Sequence, residues 1–325
     1  VEEANIHTFH SFGRNILDTQ NQPIRLSKYA NEESSGLLRT ELIRQLLRSV
    51  CQQDMSFLND IFHLRGLARY QSIETFSENL DDYYRKISSY PYKRDKYRVD
   101  DYKTPLIPSL GGKVFVRSQQ ELVIANWFIF NGVEFRYEPP YPDAGFDYSP
   151  DFYIPEADLY IEHFAIDIDG NSPFEGYADD VEAKKAFHKS RASHFECTYS
   201  YEYYEDTIIK KLEGIIDKYK VPLNPLNNSD IQELIDDMEV ESFYVFLAEM
   251  IKLIKSSSLS DKEILSKLNG IKDRFRANRF SRLIIPLMHE YQEILDQSKE
   301  IDFDDMIVES RNQIQSMSDD IIKNY

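Results

Sequence analysis

The chain has 325 residues, 42% of them hydrophobic, with 22 Tyr and 20 Phe and a formal net charge of −18. That length supports two or three packed segments, and the apolar content excludes a disordered chain. Two cysteines, Cys51 and Cys197, exclude a disulfide framework and suit a reducing cytoplasm, and no apolar run approaches the ~18 residues of a membrane span.

The acid excess is uneven: residues 1–107 are balanced, whereas 108–222 and 223–325 are both acidic. A free-standing binder of the phosphate backbone normally presents a positive surface, so the charge argues against one. An enzyme whose acidic cleft is neutralised by metal remains compatible, as does a piece whose basic surface lies elsewhere. The start, Val1-Glu2-Glu3-Ala4-Asn5, is neither a signal peptide nor a natural beginning, so the sequence is read as part of a longer protein.

Residues 5–17 read as a short strand running into a helix, with His7 and His10 as core, capping or site residues. Leu37, Leu38, Leu42, Ile43, Leu46, Leu47 and Val50 recur at helical spacing and predict an amphipathic helix. Further helices are expected at about 55–70 and 73–88. Tyr90 to Arg98 interleaves aromatics and bases, the mixture that single-stranded nucleic acid favours, though a polar linker has the same look. Pro105, Pro108, Gly111 and Gly112 then punctuate the chain, and a domain boundary is placed at 107.

Ser118 followed by Glu121 is a capping box opening a helix that stops at Asn131-Gly132, so Glu121 has a structural reason to be there. A strand over 133–138 follows. Residues 149–166 then read as a hairpin, aromatic and β-branched, turning at Pro155-Glu156-Ala157-Asp158. With the turn at 155–158, Ile154 faces Leu159, and counting outward sets Asp151 against Glu162. Opposed side chains have Cβ atoms about 4.5–5.5 Å apart, and like charges there destabilise the pair. Two carboxylates so placed call for a cation, and a hard divalent ion with waters and substrate phosphate fits. Opposed acids also occur on an ordinary solvated face. Glu162, however, sits among Tyr160, Ile161, Phe164 and Ala165, on a strand apolar on both sides and therefore central. A carboxylate there is costly unless paired, hydrogen-bonded or metal-bound.

A helix from Tyr177 to Arg191 carries Lys184 and His188 four residues apart on one face. A strand over 195–200 and a helix over 205–218 close an αβββαβα unit, an α/β domain over 108–222. Pro222 and Pro225 mark the next boundary, and 223–325 reads as all helical, at about 229–237, 242–256, 261–269 and 270–297, with Pro286 expected to kink or divide the last. Arg274, Arg276, Arg279 and Arg282 form a basic stripe, a solvated face or a DNA contact. A final helix begins near Ile301. No Gly-x-x-x-x-Gly-Lys-Ser/Thr loop occurs, so ATP is not cradled here by that route.

His7-Thr8-Phe9-His10-Ser11-Phe12-Gly13 resembles the Thr-Phe-His-Ser motif of UvrD/Rep-type superfamily 1 DNA helicases, which touches single-stranded DNA. Tyr291-Gln292 with Ile301-Asp302-Phe303-Asp304-Asp305-Met306-Ile307 resembles the stretch before their Walker B strand. This resemblance implies that 1–107 and 223–325 are the halves of a helical accessory subdomain, 1B, with ATP bound only by the full-length helicase. The middle segment resembles a PD-(D/E)XK nuclease inserted there, a restriction-endonuclease-like αβββαβ core. On that resemblance Asp151 and Glu162 are the metal-binding acids, Glu121 is the acid from the first helix, and His163 offers its backbone carbonyl to the metal. The lysine expected two residues after Glu162 is Phe164, and Lys184 is the candidate replacement. His10 and His188 are candidate DNA contacts. Implied partners are Mg²⁺ or Mn²⁺, DNA and the remainder of the helicase, in repair or defence against foreign DNA and with no membrane. The competing expectation is a decayed nuclease fold retained for handling DNA or docking a partner.

Overall fold

The computed structural model describes residues 9–18, 25–30, 32–53, 57, 60–61, 63–64, 98–99, 105–142, 144–227, 229–230, 233 and 241–316. In chain order the elements are α1 (Phe9–Asp18), α2 (Glu32–Gln53), β1 (Arg98–Val99), β2 (Pro105–Pro108), β3 (Phe115–Val116), α3 (Gln119–Phe130), β4 (Arg136–Tyr137), β5 (Phe152–Ile154) and β6 (Leu159–Phe164). They continue with α4 (Tyr177–Ser190), β7 (His194–Tyr199), α5 (Ser200–Tyr204), α6 (Ile208–Lys218), α7 (Glu241–Ser256), α8 (Asp261–Asn269), α9 (Arg274–Ser298) and α10 (Phe303–Ser316). The chain divides into two compact units: Val1–Phe57 with Glu241–Gly270 and Phe280–Tyr325, and Leu58–Val240 with Ile271–Arg279.

The first unit is helical. Lys255 on α7 is buried and bonds Asp302 at 2.8 Å and Asp305 at 2.9 Å, while Tyr291 of α9 donates to Asp302 at 3.0 Å. Asp302 and Asp305 cap α10 reciprocally, each accepting from the other's backbone N–H. The segment expected to be a strand entering a helix is helical from Phe9, and positions 5–8 lie outside the described residues. So do the helix at 73–88 and nearly all of the Tyr90–Arg98 stretch. Pro286 does not divide α9, which runs unbroken from Arg274 to Ser298.

The second unit holds both sheets. β1, β2 and β3 form a small antiparallel sheet; Pro105 to Gly112, read from the sequence as interdomain punctuation, supply β2 and a 3-10 turn, with Ile107 and Leu110 buried. The larger sheet has the order β4-β5-β6-β7. Its first three strands are an antiparallel meander, and β7 joins β6 in parallel after the α4 crossover. The expected register holds, Ile154 pairing with Leu159 and Phe152 with Ile161. Asp158 closes the turn in the left-handed region and accepts from the Tyr153 hydroxyl at 3.0 Å.

β6 is buried along its whole length and alternates strictly. Leu159 and Ile161 enter the apolar core with Leu122, Phe128, Phe152 and Leu212 from β5, α3 and α6. Tyr160, Glu162 and Phe164 face α4, contacting His188, Lys184 and Tyr177. Eight consecutive residues of α3, Leu122–Ile129, are buried, as suits a helix apolar all round. Ser118 caps it, and Gly132 (φ 63°) ends it, with Val133 bonding back to Phe128 and Gly132 to Ile129. A Cβ at Gly132 would fall 2.0 Å from the Asn224 carbonyl oxygen, so glycine is required there.

Arg274 is exposed, but Arg276 and Arg279 of the basic stripe are not on a solvated face. Arg276 bonds Gln119 and Asp273, and Arg279 is buried over the Phe275 ring against Asp206. Among the described residues no helix is long and apolar enough to cross a membrane.

Candidate active site

Glu162, at the middle of β6, is 1% exposed. Burying a carboxylate requires compensation, and both of its oxygens have it. Oε1 accepts from the Tyr148 hydroxyl at 2.7 Å, and Oε2 meets the Lys184 ammonium at 2.8 Å. Burial opposes charge on Lys184, but the Glu162 carboxylate outweighs it and the amine's pKa is raised, so the ammonium persists. Phe164, where the resemblance expects the lysine, forms part of its seat, with Lys184 5.8 Å over its ring.

Asp151 precedes β5, one step beyond the Phe152–Ile161 pair. Its Oδ2 accepts from the His163 backbone N–H at 2.7 Å. The residue is half-buried but its carboxyl is enclosed. Burial, then the charge of Glu162, then that of Glu121 push that carboxyl well above the ordinary carboxylate range. The other two acids named from the sequence, Glu162 and Glu121, therefore both act on Asp151. A divalent cation is the group that such mutual repulsion favours. Among the described residues, however, no three His, Cys, Asp or Glu side chains converge tightly enough to hold an ion by themselves. Asp151 and Glu162 are the side chains that would have to hold such an ion, with water completing its shell.

The expected capping box is half formed: Ser118 Oγ accepts from the Glu121 N–H at 3.1 Å, but the Glu121 side chain does not take the Ser118 N–H in return. Its carboxylate accepts from the Ser118 hydroxyl at 2.9 Å, the Arg117 N–H at 3.1 Å and the Tyr137 hydroxyl at 2.6 Å. These bonds engage both oxygens. Burial, then Glu121 itself, raises the Tyr137 phenol far above its ordinary range, so it stays a donor.

His163 turns its ring away from the acids. Nδ1 meets the Thr198 hydroxyl at 2.8 Å, Nε2 meets Gln120 Oε1 at 2.6 Å, and Ser200 donates to the same Gln120 oxygen at 2.6 Å. Burial lowers its pKa to about 3, leaving a neutral ring. Only its backbone borders Asp151.

His188, expected to touch DNA, is 0% exposed and has no surface to offer. It lies flat on Phe195 with ring centroids 4.0 Å apart, and its Nε2 is 2.9 Å from the Tyr148 hydroxyl. Burial, then the Lys184 charge, lowers its pKa to about 4. His10 lies in α1, and its side chain falls outside the described residues. Tyr148, Tyr137 and Gln120 carry no motif; Tyr148 stands two residues before Pro150, and that proximity was the signal available for it.

The family model described as the UvrD/REP helicase N-terminal domain matches residues 1–325. No curated protein and no solved structure matches the chain.

Proposed function

The chain belongs to the UvrD/REP helicase N-terminal domain family, whose membership implies ATP hydrolysis and DNA unwinding, and on that footing we propose that residues 108–222 are a metal-dependent DNA nuclease carried by the helicase. The observation that carries this reading is a single one: Glu162, buried on the interior strand β6 and paired with Lys184, stands opposite Asp151 across the hairpin. The α3-β4-β5-β6-α4-β7 order, with β7 parallel to β6, supports the resemblance to a restriction-endonuclease-like core. On the same reading residues 1–107 and 223–325 are the two halves of the helical subdomain 1B into which it is inserted.

Asp151 and Glu162 would hold Mg²⁺ or Mn²⁺, with the His163 backbone beside Asp151 and Glu121 acting through water. A divalent ion there supplies charge stabilisation to a scissile phosphate and a lowered pKa to a bound water. Lys184 places its ammonium where negative charge develops on phosphate, a preorganised interaction in a partly enclosed site. The ammonium lies 5.6 Å over the Tyr148 ring and 5.8 Å over the Phe164 ring, with 36% of the Lys184 side chain still open to solvent. A role in DNA repair or in defence against foreign DNA suits a nuclease joined to a helicase.

The test is cleavage of single- and double-stranded DNA with Mn²⁺, comparing the protein with its Asp151→Ala variant. Loss of cleavage in a folded variant supports the reading; undiminished cleavage sinks it. One observation favours a second reading, a decayed nuclease that handles DNA without cutting it: no three acidic or imidazole side chains converge among the described residues. Titration calorimetry with Mn²⁺ separates the two, since a decayed site takes up no ion at Asp151 and Glu162.

A further inference from the structure

We infer that Tyr148 is the positioning residue of this site: driven by His188 and Ser193 behind it, it fixes the Glu162 carboxylate in the orientation that binds the metal. The inference rests on the metal-dependent reading above. A phenol has one proton, and at 2.7 Å it goes to Glu162 Oε1. The Tyr148 oxygen must then accept from His188 Nε2, 2.9 Å away. That bond assigns the Nε2–H tautomer, and the deprotonated Nδ1 takes the Ser193 hydroxyl proton at 2.8 Å in preference to the His188 carbonyl at 3.2 Å. Every proton in the series Ser193, His188, Tyr148 therefore points toward Glu162. Such a chain polarises each bond in turn.

Packing fixes each member in place. His188 is stacked on Phe195, and Tyr148 lies among Tyr141, Phe146 and Phe187 at ring separations of 5.9, 5.9 and 5.3 Å. Glu162 has no freedom to rotate away, because Oε1 is held by a rigid phenol and Oε2 faces Lys184. This is the arrangement by which groups behind a metal ligand orient it, and removing one typically costs 10–100-fold in affinity. His188 thus acts at the site from behind, through Tyr148, and not through contact with DNA.

The experiment is Mn²⁺ titration calorimetry on the whole chain, with thermal melting as the control for folding. Tyr148→Phe keeps the aromatic packing and removes the proton, so Mn²⁺ affinity should fall about 10–100-fold at a nearly unchanged melting point. His188→Gln, whose amide N–H can replace Nε2–H, should stay near the parent affinity, whereas His188→Leu should not. Should Tyr148→Phe bind Mn²⁺ as tightly as the parent while Asp151→Ala has lost it, the inference fails and the nuclease reading stands. If the parent itself binds no Mn²⁺, both fall together.

Discussion

The Lys184 ammonium lies 2.8 Å from Glu162 Oε2, a helix residue meeting the middle of a buried strand. The relationship has a direct consequence. Lys184→Met leaves a buried carboxylate facing an apolar side chain, so the variant should melt at a lower temperature. It should also lose cleavage by about 100-fold or more, the usual effect of deleting one preorganised donor. Lys184→Arg, keeping the charge, should recover part of both. Cleavage at the parent rate in Lys184→Met would return Lys184 to the status of a half-exposed surface lysine.

Glu121 separates two roles that coincide in one side chain. Its carboxylate accepts from Ser118, Arg117 and Tyr137. Glu121→Ala strands those donors and should cost roughly 1–3 kcal/mol in urea unfolding. Glu121→Gln keeps acceptor capacity but removes the charge that bears on Asp151. If Glu121 serves the ion through water, the Gln variant should unfold near the parent midpoint yet bind Mn²⁺ more weakly. An unchanged Mn²⁺ isotherm in that variant would leave Glu121 with capping alone.

How much of this was legible in the sequence varies with the range of the interaction. The hairpin register followed from turn position and side-chain alternation, both local, and Ile154 does pair with Leu159. The ends of α3 were legible because Ser118 and Gly132 act within one turn of the helix. The strand before the hairpin is shorter than its β-rich composition suggested, only Arg136–Tyr137. The Tyr148–His188 bond was not legible, because it depends on how a loop and the crossover helix α4 meet over one face of the sheet. The same holds for Gln120, which reaches His163 and Ser200 through tertiary packing alone. Arg276 and Arg279 looked like a surface stripe because nothing local announces Asp206 or Gln119 as partners.

Cys197 pairs across β6 and β7 with Glu162. Burial pushes its thiol up to about 12, so thiolate is scarce at neutral pH. In a Cys51→Ser background, iodoacetamide at pH 8 should label the half-buried Cys197 of the folded protein far more slowly than that of the urea-unfolded chain. Rapid labelling of the folded variant by mass spectrometry would contradict the packing of β7.

In the helical unit, Lys255 compensates Asp302 and Asp305 in a buried cluster. Burial acts to raise Asp302, yet the Lys255 charge overcomes it and holds the carboxyl below its ordinary range. A depressed carboxyl stabilises the fold above its unfolded pKa and loses that contribution as pH falls through the folded value. Asp305 runs the other way: burial, then Asp302, raises it, so its contribution is lost as pH rises through its folded value. Lys255→Met leaves uncompensated buried carboxylates and should cost about 3–5 kcal/mol at pH 7. Protonation relieves that penalty, so the difference from the parent should shrink toward pH 4. A penalty that grows on acidification would refute the assignment.

Gly13, the last residue of the Thr-Phe-His-Ser-Phe-Gly stretch, sits where α1 meets α10. A Cβ added there would stand 2.8 Å from Ser310 Oγ, whose one proton lies between the Met306 carbonyl at 2.5 Å and the Gly13 carbonyl at 3.0 Å. Two effects oppose each other in Gly13→Ala. Replacing glycine inside a helix gains about 1 kcal/mol from propensity. Overpacking a closed contact costs about 1–3 kcal/mol. Because Ser310 is buried and held from two sides, it has little room to give, and the cost should win. Gly13→Ala alone should therefore unfold at lower urea than the parent. Combined with Ser310→Ala, which removes the obstructing oxygen, it should recover more stability than the two single variants predict by addition. A strictly additive pair, measured by urea unfolding at constant slope, would show that the two helices do not meet at these residues.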